Sequence, residues 1–121
     1  MVKISNRDAS THVRNKKEFT GSNTFGRWVD DDNYVVFSYG EHFPMFAYKK
    51  DFGWCALGVK AKYVYKNDDG DDVISRSTSR HYKQLHPLQD HVIVAGVPEL
   101  QDFIRKDVVT VWYEFIREGG E

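Results

Sequence analysis

The stretch YVVFSYGEHFPMFAY, Tyr34 to Tyr48, decides how the rest of the chain is read. Its first half, YVVFSY, is rich in β-branched and aromatic residues, the composition of a strand. Apolar side chains fall on both of its faces, Tyr34 and Val36 on one and Val35, Phe37 and Tyr39 on the other. That pattern predicts a central strand covered on both sides. HFPMFAY reads as its antiparallel partner. A two-residue Gly40–Glu41 loop suits a type II′ turn, because Gly supplies the positive φ needed at the first central position. In this register Tyr39 faces His42 and Phe37 faces Pro44. Pro44 has no N–H to give to a ladder, so it marks a sheet edge or a bulge.

On either side, DDDN (30–33) reads as a turn, since short polar side chains compete with ladder hydrogen bonds. DFG (51–53) turns the chain into the strand WCALGV. KYVYK (62–66) and VISRSTS (73–79) flank the polar loop NDDGDD as a second hairpin, read with Tyr65 opposite Ile74 and Tyr63 opposite Arg76. A short strand follows through Val92 to Val94. In PELQDFIRKDVVTVWYEFIREGG, Pro98 fits the first turn of a helix, and Gly119–Gly120 stop it. Leu100, Phe103, Ile104, Val108, Val111, Trp112 and Phe115 share one helical face. The β-branched run 108–111 leaves a helix followed by a strand as the alternative. Residues 1–23 are polar and locally basic without a clear period, and they read as a partly extended arm before a single domain spanning 24–121. The fold class is therefore α+β: an antiparallel, meander-like sheet packed against one main C-terminal helix.

At 121 residues the chain suits one domain, and folding buries roughly two-thirds of its unfolded surface. Seventeen Lys and Arg against 18 Asp and Glu leave a formal charge of −1, so bulk charge points neither to a DNA-coating protein nor to an acidic mimic of DNA. Cys55 is alone, which excludes an internal disulfide and a cysteine-based metal cage. No apolar run is long enough for a bilayer, and the polar N-terminus lacks a signal-peptide core. These features predict an intracellular, cytoplasmic protein with no membrane partner.

Three groups of residues invite a chemical reading. The acidic tip, with Asp68, Asp69, Asp71 and Asp72, places Tyr65 where an EF-hand loop needs its first ligand, so it reads as a solvated hairpin tip and a partner surface. The five histidines show no zinc-protease spacing, and neither a metal nor a cofactor is predicted. The segment SRSTSRHYKQLHP (75–87) carries Arg76, Arg80, Lys83, His81 and His86 with several hydroxyls and no carboxylate. It could cradle an anion or grip nucleic acid, or be an edge strand kept unpaired by charge. Histidine-based phosphoryl transfer would require His42 and His81 to converge, aided by Glu41 or Arg80, since an acid–base group must reach the reacting proton. No phosphate loop or nucleophile elbow accompanies them. Finally, Val109, Tyr113 and Ile116 form a second apolar stripe on the C-terminal helix. It calls for cover by another part of the chain, by a partner or by a second copy in a homodimer.

Taken together, EFTGSNTFGRW, YVVFSYGEHFPMFAY, the Trp54 and Tyr63–Tyr65 region and STSRHYKQLHP resemble a family of small domains found among phage and plasmid genes. The resemblance covers roughly residues 19–87. Tyr39, Gly40, His42, Pro44, Ser79, Arg80 and His81 correspond to its motif positions, and the family brings no activity with them. The acidic tip and the long C-terminal segment depart from its pattern. The resemblance implies a mobile-element accessory protein that binds a host protein or protein–nucleic acid complex stoichiometrically, with inhibition of a defence assembly such as a CRISPR effector as the particular role. Binding would run through Tyr39, Glu41, His42 and the basic segment, or through the acidic tip and the second stripe. A nucleic-acid-binding protein using 75–86 is the alternative, and a histidine enzyme the third reading.

Overall fold

A computed structural model describes residues 3–41, 43–57, 64–66, 69, 72–74, 76–87, 89, 91–94 and 96–119. The fold is α+β, as the sequence predicts. In chain order the elements are α1 (Asn6–Arg14), β1 (Phe19–Thr20), β2 (Thr24–Trp28), β3 (Asn33–Ser38), β4 (Pro44–Lys49) and β5 (Gly53–Leu57), then β6 (Val64–Lys66), β7 (Asp72–Ile74), α2 (Arg76–Leu85), β8 (His91–Val94), α3 (Val97–Arg105) and α4 (Val108–Gly119). One mixed sheet runs β1-β2-β3-β4-β5-β8, and β6-β7 form a separate two-stranded ribbon. No helix among the described residues is long and apolar enough to cross a membrane.

β3 is central, and all six of its residues are buried. Strand alternation sends Tyr34, Val36 and Ser38 to one face of the sheet and Asn33, Val35 and Phe37 to the other. The first face is covered by α1 and α2, with Ser38 bonded to His81 and Phe46 packed on Tyr82 and His86. The second is covered by α3, through Lys49 and Phe103, and by α4, whose Val111 is buried. Helices thus lie on both faces, not on one.

The β3–β4 pairing places Phe37 opposite Pro44, as the hairpin reading requires. Val36 pairs with Phe46, so Met45 is the extra residue of a bulge beside the proline. β4 lies between β3 and β5, so the bulge, and not a sheet edge, accommodates Pro44. The turn differs from the predicted one. Positive φ falls on Tyr39 (66°) and not on Gly40. His42 lies outside the described residues, and its predicted pairing with Tyr39 lies there too.

Four further expectations are corrected. The stretch 6–14, expected to be extended, is helical: the Ser5 hydroxyl caps it by accepting from Asp8 N–H, and Ala9 and Val13, one turn apart, are fully buried. The basic segment 75–86, read as an edge strand, is largely α2. There His81, Tyr82 and Leu85 point inward while Arg80, Lys83 and Gln84 point out, a helical spacing. The ribbon register is shifted by one residue, Tyr65 facing Val73 and Val64 facing Ile74. β8 runs parallel to β5, so the sheet is not wholly antiparallel: the chain crosses over through the ribbon and α2 before re-entering the sheet.

The C-terminal segment is two helices, in place of one helix or a helix and a strand. α3 ends at Arg105, and the next residue, Lys106, has an extended backbone (φ −78°, ψ 152°). Asp107 then caps α4 by accepting from Thr110 N–H at 2.7 Å.

Candidate functional site

Two clusters of functional side chains sit on opposite faces of the sheet, and the helices decide what each contains.

On the α1/α2 face, the two motif-bearing segments of the sequence meet. Ser38 Oγ and His81 Nδ1 are hydrogen-bonded at 2.9 Å, and the Tyr39 ring lies 5.5 Å from the imidazole. Tyr39 adopts a left-handed backbone that a bulky residue rarely takes, at a cost on the order of 1 kcal/mol. Its N–H donates to Asn23 C=O at 2.7 Å, and Asn23 is itself left-handed. Two strained turns therefore hold one aromatic ring, half exposed, over His81. Ser38 is fully buried, so its hydroxyl is closed to a substrate and the Ser38–His81 bond works as a packing contact. Just past the end of α2, His86 packs edge-on against Phe46, Tyr82 and His91, with ring centres 5.2, 5.6 and 5.0 Å away.

Burial, reinforced by the neighbouring Arg80 charge, holds the His81 pKa below its ordinary 6.5. Burial, reinforced by His91, does the same for His86. The unfolded chain therefore binds more protons than the folded one below about pH 6.5. Stability is expected to be level above that value and to fall as the pH drops below it. Urea midpoints measured from pH 8 to pH 5 check this, and a His81→Gln/His86→Gln double variant should flatten the profile over the same range.

On the α3/α4 face, Lys49 is 1 % exposed. Its ammonium donates to Asn33 Oδ1 at 2.8 Å, to Lys106 C=O at 2.6 Å and to Ile104 C=O at 3.3 Å, which engages all three of its protons. The two carbonyls belong to the end of α3, where the helix dipole is negative. Burial lowers the Lys49 pKa, opposed by the attraction of Asp30, Asp32 and Asp107. Burial also works against the ionised Asp30, but hydrogen bonds from Asp32 N–H and from the Asn33 side chain and N–H outweigh it, and its pKa is lowered. A cleft of about 450 Å³ opens beside this group, lined by acidic and basic side chains alike. A second cleft of about 400 Å³ lies between β2–β3 and α3, with Val35, Phe37 and Pro44 at its apolar floor and the Arg27–Glu41 ion pair at its rim.

The predicted site residues are distributed as follows. Tyr39 and His81 come together, and His86 joins His91 instead. Glu41 pairs with Arg27 on the other side of the sheet. Arg80 and Lys83 are exposed on α2, and the Arg76 side chain lies outside the described residues. Asp68, Asp71 and the Ile116 side chain also lie outside them, while Asp69 is exposed and Asp72 pairs with Lys66 in the ribbon. Val109 and Tyr113 are 74 % and 62 % exposed, and Trp112 between them is 43 % exposed. Cys55 is buried, and burial pushes its thiol up to about 12, so it is not poised as a nucleophile. Among the described residues no three His, Cys, Asp or Glu side chains gather as a metal cage.

Sequence reasoning passed over Lys49. A signal was present, since Lys49 lies two residues beyond the inward-facing Ala47 and so shares its phase. Sequence spacing did not single out His91, because its contact with His86 depends on the chain re-entering the sheet beside Trp54. Comparison with protein-family models, curated proteins and solved structures finds no match to this chain. The geometry therefore defines it only as an α+β protein with a two-faced helical cover and an exposed aromatic helix.

Proposed function

We propose that the protein is a stoichiometric binding module that docks a partner protein on the outer face of α4. The observation that carries this reading is the exposure of Val109, Trp112 and Tyr113, which follow one another at i, i+3 and i+4 and form one stripe. Their neighbour Val111 is fully buried and Trp112 rests on Phe52, its indole N–H donating to Asp51 C=O at 3.2 Å, so the helix is anchored while much of the stripe's surface is exposed. Trp and Tyr are the residues that most often carry binding energy at interfaces. Catalysis has less support, because the Ser38 hydroxyl is closed off and the Lys49 protons are all engaged. The sequence resemblance extends the proposal to a phage or plasmid accessory protein acting on a host defence assembly.

A pull-down from bacterial host lysate, run with and without nuclease, tests the reading. The wild-type chain is expected to retain a protein partner after nuclease treatment. The double variant Val109→Asp/Tyr113→Ala should lose it, with affinity reduced by about 2 kcal/mol or more. Retention unchanged in the double variant would remove α4 as the docking face. Capture that disappears with nuclease, falls steeply with added salt and is lost in Arg80→Ala/Lys83→Ala would favour the nucleic-acid reading on the outer face of α2 instead.

A further inference from the structure

The sheet face that carries Lys49 is covered unevenly. α3 lies over β4 and β5, with Leu100 and Phe103 buried there, and beside it, over β2 and β3, the cleft of about 400 Å³ opens. Phe37 and Pro44 are cross-strand partners and Val35 lies two residues before Phe37, so all three side chains share this face and form an apolar floor. α3 supplies one wall through Gln101, Ile104 and Arg105, which stand at i, i+3 and i+4 on one side of the helix. Across the floor, the Arg27 guanidinium lies over the Phe25 and Phe37 rings, 5.6 and 5.8 Å from their centres, and pairs with Glu41. We propose that this cleft binds a small apolar carboxylate, an aryl- or alkyl-carboxylic acid. Its body would rest on Val35, Phe37 and Ile104, and its carboxylate would be held by Arg105 and Arg27.

Size, charge and floor each narrow the ligand. The volume falls in the range of small-molecule sites, which are mostly apolar with a few placed polar groups. Two guanidiniums against the single Glu41 carboxylate leave the lining with one net positive charge, which favours an anion. A guanidinium presents paired N–H donors that match the two oxygens of a carboxylate. Among the described residues Arg105 makes no ion pair, so its donors are open to a ligand. Arg27 is engaged, but both it and Glu41 are exposed, and exposed ion pairs contribute little. A carboxylate that also covers the floor therefore displaces Glu41 at small cost. Inorganic phosphate would meet the arginines but leave the floor wet, and a neutral apolar molecule would use the floor alone. Only an amphipathic anion uses both. The assignment is independent of docking on the outer face of α4.

Titration of the ¹⁵N-labelled full chain with 4-phenylbutyrate, followed by amide chemical shifts, tests the proposal. Saturable shifts are expected at Val29, Val35, Gln101 and Ile104, which line the cleft. 4-Phenylbutan-1-ol, which keeps the body and removes the charge, should bind about tenfold more weakly or worse. Arg105→Gln should weaken 4-phenylbutyrate by about tenfold or more. Glu41→Gln releases Arg27 and should tighten binding severalfold, the opposite of what general damage to the fold would produce. Both substituted side chains are exposed, so the variants are expected to fold. Arg80→Gln, on α2 across the sheet, should bind as the wild type does. Absence of saturable shifts at the cleft, equal affinity for the alcohol, or unchanged binding in either the Arg105 or the Glu41 variant would overturn the proposal.

Discussion

Replacing Lys49 with alanine is expected to destabilise the fold by about 3 kcal/mol or more, among the largest effects of any single polar substitution in this chain. The variant leaves Asn33 Oδ1 and the carbonyls of Ile104 and Lys106 without their donor in a buried setting. It also removes an alkyl stem packed near Phe103, whose ring centre is 5.3 Å from the ammonium. Lys49→Met separates the two losses, because it keeps most of the stem and removes only the charge and its protons. Urea unfolding at constant m-value should place Lys49→Met between wild type and Lys49→Ala. Equal stability of Lys49→Met and wild type would show that the ammonium does not clamp the α3–α4 junction. On the proposed docking role of α4 the consequence reaches function, because that junction sets where α4 begins and hence where Trp112 and Tyr113 lie. Partner capture should weaken in Lys49→Ala even at temperatures where the variant remains folded.

The second large effect is expected from Phe46→Ala, at about 3–5 kcal/mol. Phe46 is fully buried between β3 and β5, in register with Val36 and Ala56, and its ring supports Tyr82 and His86 at 4.8 and 5.2 Å. Truncation opens a cavity directly under α2. The Tyr82 hydroxyl, which donates to Leu57 C=O at 2.8 Å, and the Ser38–His81 bond then remain as ties between that helix and the sheet. Hydrogen exchange should therefore accelerate in α2 ahead of β3 and β4. Uniform acceleration across the sheet would mean that α2 is not a separately opening unit.

The central hairpin was legible because its information is local. Apolar residues on both faces of Tyr34–Tyr39 identified a strand covered on both sides, and a proline without an N–H identified an edge or a bulge, between which the structure chose the bulge. Turn chemistry at Asp30–Asn33 held for the same reason: Asp30 Oδ1 accepts from Asp32 N–H and Asn33 N–H, both at 2.8 Å. α2 was not legible, since only His81, Tyr82 and Leu85 face inward there, too few to stand out against a run of charges and hydroxyls. Its helical state comes from docking on the sheet and on α1, where Asn6 Nδ2 reaches Gln84 Oε1 at 3.5 Å. The α3–α4 break was similarly hidden, because Asp107 as a cap and Asp107 as an exposed helical residue look alike in sequence.

What the amino-acid order determined by itself was the α+β class, the core strands β3 to β5 and the second apolar stripe at Val109 and Tyr113. These depend on periodicity and turn chemistry acting over a few neighbouring residues. The tertiary structure alone decided that Ser38 meets His81, that His86 meets His91 and that Lys49 closes the end of α3. Ser38–His81 and the Lys49 clamp join segments whose approach depends on a crossover or on packing across the sheet, and His86 meets His91 only because the chain returns into the sheet beside β5.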